Sequence, residues 1–123
     1  MAKRILIVDD EPFIVDMLGV RLEAEGYEVL KAYDGESALK TAKESLPDLI
    51  LLDIMMPPPD GLEVCRTLKG DPDYRHIKII MLTARTSKID EMEPTETCAD
   101  GYMCKPYDGK ELMDTIRRLI GDL

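Results

Sequence analysis

Short apolar runs alternate with longer amphipathic stretches along the whole chain. The runs are rich in Ile, Leu and Val and are bounded by polar residues or glycine, a pattern typical of β-strands. The run at 49–52 is continuously apolar, which indicates a strand buried on both faces. We predict strands at residues 4–8, 27–32, 49–52, 77–82 and 102–104.

The stretches between these runs carry signals for helix ends. Pro12 suits the first turn of a helix that Gly26 ends, and Asp34 is placed to cap a second helix. Asp60 and Glu63 have the spacing of a capping box for a third helix. We predict helices at 12–25, 35–45, from about 61 to near 70, at 87–98 and at 108–120.

Five strand–helix repeats with short connections predict an α/β fold. Parallel strands joined in this way form a sheet that is covered by helices on both faces. The chain contains no linker, no low-complexity segment and no sign of a second domain. We therefore expect a single domain over residues 1–123.

Composition narrows the class of protein. Hydrophobic residues make up 45% of the chain and charged residues 33%, as in soluble globular domains. The formal net charge of −9 argues against direct contact with nucleic acid or an anionic membrane, because such contact relies on clustered Lys and Arg. No apolar stretch approaches a membrane span or a signal peptide. Cys65, Cys98 and Cys104 form no paired motif, which indicates reduced cysteines of a cytoplasmic protein.

The strongest functional signal lies at the ends of the predicted strands. Asp9 and Asp10 follow the first strand, Asp53 the third and Thr83 the fourth, and Lys105 follows the fifth. In an open parallel sheet these ends share one edge, and ligands bind in the crevice beside it. Three carboxylates, a hydroxyl and an ammonium should therefore converge.

This set of groups favours phosphoryl transfer. Three neighbouring carboxylates repel one another unless a cation offsets them, and Mg²⁺ or Mn²⁺ prefers such oxygen ligands. A carboxylate can itself be the nucleophile, and Asp53 stands alone on the central strand, whereas the pair Asp9 and Asp10 is better suited to metal binding. Thr83 and Lys105 would supply a hydroxyl and a fixed positive charge. Each of these residues taken alone could instead be a helix cap or a turn residue. Their position at one edge of the sheet favours a phosphoryl-transfer site over these separate roles.

With these residues in place, the chain resembles the receiver domains of bacterial response regulators, which belong to two-component phosphorelays. The resemblance implies a flavodoxin-like (βα)5 doubly wound sheet with strand order 2-1-3-4-5. The order and spacing of its motifs match over essentially the whole chain. The motifs are ILIVDDE (5–11), DLILLDIMMP (48–57), DGLEV (60–64), IIMLTA (79–84) and ADGYMCKPY (99–107).

The resemblance also implies how the site works. Asp53 would accept a phosphoryl group from a phosphohistidine on a sensor histidine kinase or histidine phosphotransfer protein. Mg²⁺ would be bound by Asp10, Asp53 and the backbone carbonyl of Met55, and Asp9 would act mainly through water. Lys105 would pair with the phosphoryl oxygens.

The resemblance further implies a switch. Thr83 would be drawn toward the phosphoryl group and Tyr102 would swing inward behind it, which alters a helical face recognised by an unidentified downstream protein. A cis bond before Pro106 would aim Lys105. We expect no independent enzyme activity beyond help with the chain's own phosphorylation and dephosphorylation, and a monomer or weak dimer.

Prolines mark two departures from the family pattern. The family loop reads Met-Pro-Gly-x-Asp-Gly, whereas here Pro58 stands at the glycine and Pro59 follows. Because proline restricts its own φ and the preceding residue, we expect a polyproline-like conformation at 56–58 and an altered surface for the kinase. Pro94 should shorten or break the helix predicted at 87–98.

Other classes of protein share this general fold. A pseudo-receiver that binds proteins without phosphorylation would not need the complete set of site residues. A Mg²⁺-dependent phosphatase would need a second acid near Asp53, where the chain has only Met55. A nucleotide-binding protein is disfavoured because the acidic turn 9–12 would repel phosphate.

Overall fold

The computed structural model describes residues 2–84, 99–105 and 108–121. Within these residues the strands form one sheet in which every neighbouring pair is parallel. The spatial order is β2-β1-β3-β4-β5, which confirms the predicted fold class and strand order. The strands are β1 (Arg4–Val8), β2 (Glu28–Ala32), β3 (Leu49–Asp53), β4 (Lys78–Ala84) and β5 (Gly101–Lys105).

Four helices accompany the strands in the described part of the chain, each where the sequence predicts one. The segment 87–98, with Pro94, lies outside the described residues, so its broken helix stays a prediction. None of the helices within the described ranges is long and apolar enough to cross a membrane. The helices are α1 (Pro12–Ala24), α2 (Gly35–Ser45), α3 (Gly61–Lys69) and α4 (Gly109–Ile120).

The predicted caps of α2 and α3 are confirmed. The Asp34 carboxylate accepts a hydrogen bond from the Ser37 N–H at 2.7 Å, and the Asp60 carboxylate accepts one from the Glu63 N–H at 2.9 Å. The Ser37 N–H and hydroxyl lower the pKa of the Asp34 carboxyl, because both hydrogen bonds favour its charged form. Each cap satisfies a donor that the helix itself leaves unpaired, and so sets the helix start.

Some element ends differ by a residue or two from the predicted ends, because neighbouring elements decide them. β2 begins at Glu28, since the N–H of Tyr27 donates to the carbonyl of Leu22 at the end of α1. β5 is longer than predicted, because it pairs with β4 from Gly101 to Lys105.

β3 is the centre of the sheet, and all five of its residues are buried. Ile50 and Leu52 face an apolar core that contains buried residues of α2 and α3, whereas Leu49 and Leu51 face a second core with α1 and α4. Both faces of the strand are therefore covered, which explains its continuous apolar run.

The loop from β3 to α3, residues 55–60, is named here the proline loop. Met56 is buried in the core beside α2 and α3, and its N–H donates to the Ile54 carbonyl at 3.1 Å. The chain bends through residues 56–59, and the Pro58–Pro59 peptide bond is cis. The bends at residues 56, 57 and 58 show that the predicted polyproline-like conformation is wrong, because an extended helix of that kind does not bend at each residue.

The end of α2 contains a residue in a left-handed conformation. Leu46 has φ 47° and ψ 63°, and its N–H donates to the Ala42 carbonyl at 3.0 Å. A Cβ atom is strained in this region, whereas glycine adopts it freely. The Leu46 side chain is half exposed, so its packing contributes little there.

The free energy of unfolding should be about 1 kcal/mol higher for Leu46→Gly than for Leu46→Ala, because only glycine removes the strain at this position. The alanine variant keeps the Cβ atom and controls for loss of the rest of the side chain. Urea denaturation measures both values. Equal stability of the two variants would contradict the expectation.

Candidate functional site

Three aspartates meet at the carboxyl edge of the sheet, the edge where all five strands end. Asp9 and Asp10 follow β1, and Asp53 ends the neighbouring strand β3. One carboxylate oxygen from each of the three lies within 4.8 Å of the other two. The structure thus brings together the three carboxylates that the sequence places at strand ends; they are named here the acidic site.

The two inner carboxylates of the acidic site are buried. Asp9 is 2% exposed and Asp53 is 5% exposed, whereas Asp10 is exposed to solvent. Asp9 Oδ1 accepts a hydrogen bond from the Glu11 N–H at 2.9 Å, and Asp53 Oδ1 accepts one from the Met55 N–H at 3.1 Å. Each bond reaches two residues along the chain and holds the turn that follows the strand.

The backbone of the other predicted site residues lies at the same edge. Asp53 stands opposite Leu82 in β4, one residue before Thr83. Lys105 stands opposite Ala84, one residue after Thr83. The strand register therefore places the Thr83 and Lys105 backbones beside the acidic site, and their side chains lie outside the described part of the structure.

Three further predicted residues have different outcomes. Met55 lies two residues after Asp53, the last residue of the central strand, and is 51% exposed. Tyr102 lies on β5 opposite Met81 and is 37% exposed. Pro106, with its predicted cis bond, lies outside the described residues.

The acidic site has the donor chemistry of a divalent-cation site. Its atoms are carboxylate oxygens, the hard ligands that Mg²⁺, Mn²⁺ and Ca²⁺ accept. Three like charges within 4.8 Å of one another also favour a bound cation on electrostatic grounds. The residues present therefore fit a metal, and the same cluster offers a buried carboxylate as a nucleophile.

Two glycines near the site have a role that the local sequence pattern does not indicate directly. A Cβ atom at Gly61 would meet the backbone of Asp53, and one at Gly35 would meet the backbone of Pro59 in the proline loop. A signal was present, because each glycine follows a capping aspartate at the first position of a helix, where alanine would favour the helix more.

Known proteins are similar in sequence to this chain over nearly its full length. The family described as "Response regulator receiver domain" matches residues 5–117. Response regulator PleD of Caulobacter vibrioides is 45% identical over 119 residues, which are 97% of this chain and 26% of PleD. The DNA-binding response regulator MtrA of Mycolicibacterium smegmatis is 42% identical over 117 residues, which are 95% of this chain and 50% of MtrA. The chain thus spans a quarter to half of the length of these relatives.

A solved structure shares the fold as well. Response regulator protein TrrA of Thermotoga maritima, determined in complex with Mg²⁺-BeF, has a TM-score of 0.84 and 39% identity to this chain. The similarity covers 95% of this chain and 98% of TrrA. The family match, the sequence identities and the shared fold agree, and the chain belongs to the response regulator receiver domain family.

Proposed function

We propose that the protein is a phosphoacceptor of a two-component phosphorelay, in which Asp53 takes a phosphoryl group from a phosphohistidine. The proposal rests on the buried carboxylate of Asp53 at the end of the central strand, within 4.8 Å of carboxylate oxygens of Asp9 and Asp10. In the transfer, an Asp53 oxygen bonds to phosphorus while the N–P bond of the phosphohistidine breaks. The imidazole leaves and takes up a proton.

The acidic site is also the proposed place of a divalent cation, Mg²⁺ with Mn²⁺ as a substitute. Asp10, Asp53 and the backbone carbonyl of Met55 would hold it directly, and Asp9 would act through water. The complex of TrrA with Mg²⁺-BeF supports this choice of metal. The cation supplies positive charge that offsets the carboxylates and the phosphoryl oxygens.

Thr83, Lys105 and Tyr102 complete the proposed site. The strand register supports it, because it places the first two backbones at the carboxyl edge. The Lys105 ammonium would pair with the phosphoryl oxygens, aimed by a cis bond before Pro106, and the Thr83 hydroxyl would move toward them. Tyr102 would then turn inward and change the surface that a downstream protein recognises.

The protein that donates the phosphoryl group is proposed to bind to an apolar stripe on α1. Phe13, Met17 and Val20 are 73%, 49% and 72% exposed, and their spacing places them on one side of the helix. α1 begins just after the acidic site, so a helix of the histidine kinase or phosphotransfer protein packed on this stripe would bring its phosphohistidine close. Exposed Glu11 and Glu23 favour basic residues on that partner.

The remaining proposals concern the state of the protein. Residues 1–123 act as a single domain in the cytoplasm, as a monomer or weak dimer, without contacting nucleic acid or membrane. The net charge of −9 supports the last point. The chain helps its own phosphorylation and dephosphorylation and acts on no other substrate. Pro58, exposed in the proline loop, alters the surface near the kinase.

Acetyl phosphate with Mg²⁺ should add one phosphoryl group to the wild-type chain, measured by intact mass. Asp53→Asn should take up none, because the amide is not a nucleophile. Asp73→Asn, which changes an exposed carboxylate between α3 and β4, is the control and should react like the wild type. An unmodified wild type, or an equally modified Asp53→Asn, would refute the proposal; partner binding by an unmodified chain would then indicate a phosphorylation-independent module.

Asp10→Asn should raise the free energy of unfolding by about 1 kcal/mol in the absence of divalent cations, because it removes one of three like charges. In excess Mg²⁺ the wild type should gain about 1–3 kcal/mol, and the variant should gain much less. Urea denaturation with and without Mg²⁺ measures both effects, with Asp73→Asn as control. The same Mg²⁺ dependence in wild type and Asp10→Asn would exclude Asp10 as a ligand.

Phe13→Ala should slow transfer from a phosphohistidine donor by about tenfold, because the largest apolar side chain of the α1 stripe is lost. Phosphorylation by acetyl phosphate should not change, since the acidic site is untouched. Leu46→Ala, which removes apolar surface from a half-exposed residue at the opposite edge of the sheet, is the control. Comparison of kcat/KM for the two donors measures the effect; equal slowing with both would argue against docking.

A further inference from the structure

The proline loop is bordered by two glycines that begin neighbouring helices. Gly61 begins α3 at the end of the loop, and Gly35 begins α2 on its other side. Both glycines are buried. A Cβ atom on either one would run into backbone atoms of the segment that joins β3 to α3.

Gly61 lies against the end of β3. A Cβ atom there would meet the Asp53 carbonyl oxygen and lie 2.8 Å from the Ile54 Cα. The N–H of Gly61 donates to the Ile54 carbonyl at 3.3 Å. These neighbours are backbone atoms that cannot rotate away, so the start of α3 directly supports the backbone that carries the phosphoacceptor.

Gly35 lies against the other side of the proline loop. A Cβ atom there would meet the Pro59 carbonyl oxygen and lie 2.8 Å from its Cγ and 3.0 Å from its carbonyl carbon. The φ of Gly35 lies outside the left-handed region, so its backbone would accept alanine. The close approach of Pro59 is therefore the reason that this position needs glycine.

α2 has little room to move away from the loop. Asp34 caps its first turn, and Ala38 and Ala42 are fully buried in the core beneath it. Close-packed interiors leave few voids into which a helix can shift. A side chain at position 35 would therefore displace Pro59 rather than the helix.

The prolines pass such a displacement to the acidic site. Each proline fixes its φ near about −65° and restricts the residue before it, so residues 57–59 have few rotations that absorb a shift. Met56, the residue before them, is buried, so the loop cannot swing out into solvent to absorb the shift. The shift therefore reaches Met55, whose N–H donates a hydrogen bond to Asp53 Oδ1 at 3.1 Å.

We infer that Gly35 is a positioning residue for the phosphoacceptor site. Because Gly35 has no side chain, Pro59 can pack directly against its backbone. This contact fixes the position of the proline loop and, through it, the positions of Met55 and the Asp53 carboxylate. The inference rests on the proposed function of Asp53 and deepens it, because it extends control of the site to α2, a helix that contributes none of the proposed ligands.

Gly35→Ala tests this through Mg²⁺ binding, measured by isothermal titration calorimetry, and through phosphorylation by acetyl phosphate at subsaturating Mg²⁺. We expect the variant to bind Mg²⁺ about tenfold more weakly than the wild type, because groups that orient metal ligands have effects of this size. Phosphorylation should also be slower. Gly19→Ala is the matched control, because the nearest neighbour of its Cβ would be the flexible Lys31 side chain, 3.3 Å away at Cε. This control should bind Mg²⁺ like the wild type.

A second substitution separates positioning from general damage. Pro59→Gly removes the ring and lets the loop yield, so Gly35→Ala should weaken Mg²⁺ binding less in this background than in the wild type. Circular dichroism reports whether each variant folds. If Gly35→Ala does not fold, recovery of the folded state in the double variant supports the contact, and failure of both variants overturns the inference.

Three results would overturn the inference: unchanged Mg²⁺ affinity in Gly35→Ala, an equal loss in Gly19→Ala, or full additivity with Pro59→Gly. A wild-type chain that binds no Mg²⁺ and takes no phosphoryl group would instead refute the proposed function. The two failures are therefore distinguishable.

Discussion

Buried carboxylates at the ends of buried strands are the constraint on which the rest of the site depends. Asp53 is 5% exposed and Asp9 is 2% exposed, and moving an uncompensated ion out of water costs on the order of several kcal/mol. The N–H groups of Met55 and Glu11 donate to these two carboxylates. Both donors lie in the turns directly after the strands, so the need to stabilise buried charge shapes the loops at the carboxyl edge.

The starts of the helices carry the second constraint. α2, α3 and α4 each begin with Asp–Gly, although glycine is about 1 kcal/mol less favourable than alanine in a helix. A Cβ atom on the first residue of α2 would meet the backbone of Pro59, and one on the first residue of α3 would meet the backbone of Asp53. At the first residue of α4 it would meet the Arg21 guanidinium. The aspartate sets where each helix begins, and the glycine lets that beginning approach its neighbour. Two of these three contacts converge on the segment between β3 and α3.

Much of this architecture could be predicted because its signals are local. The apolar run at 49–52 marks a strand covered on both faces, and Asp34 and Asp60 mark helix starts through hydrogen bonds to residues three positions away. The meeting of Asp9, Asp10 and Asp53 follows from one topological rule, since the ends of parallel strands share an edge. The ends of β2 and β5 could not be predicted, because pairing partners and a bond back to α1 decide them.

By itself, then, the sequence determined the order of strands and helices, the acidic edge and the caps, because each depends on neighbours along the chain or on a general rule of parallel sheets. Only the tertiary structure decided how close the three carboxylates lie and how the proline loop turns. It alone also shows why Gly35 must be glycine. Residues 35 and 59 are in different βα units, and a steric contact between them leaves no pattern in the local sequence of either.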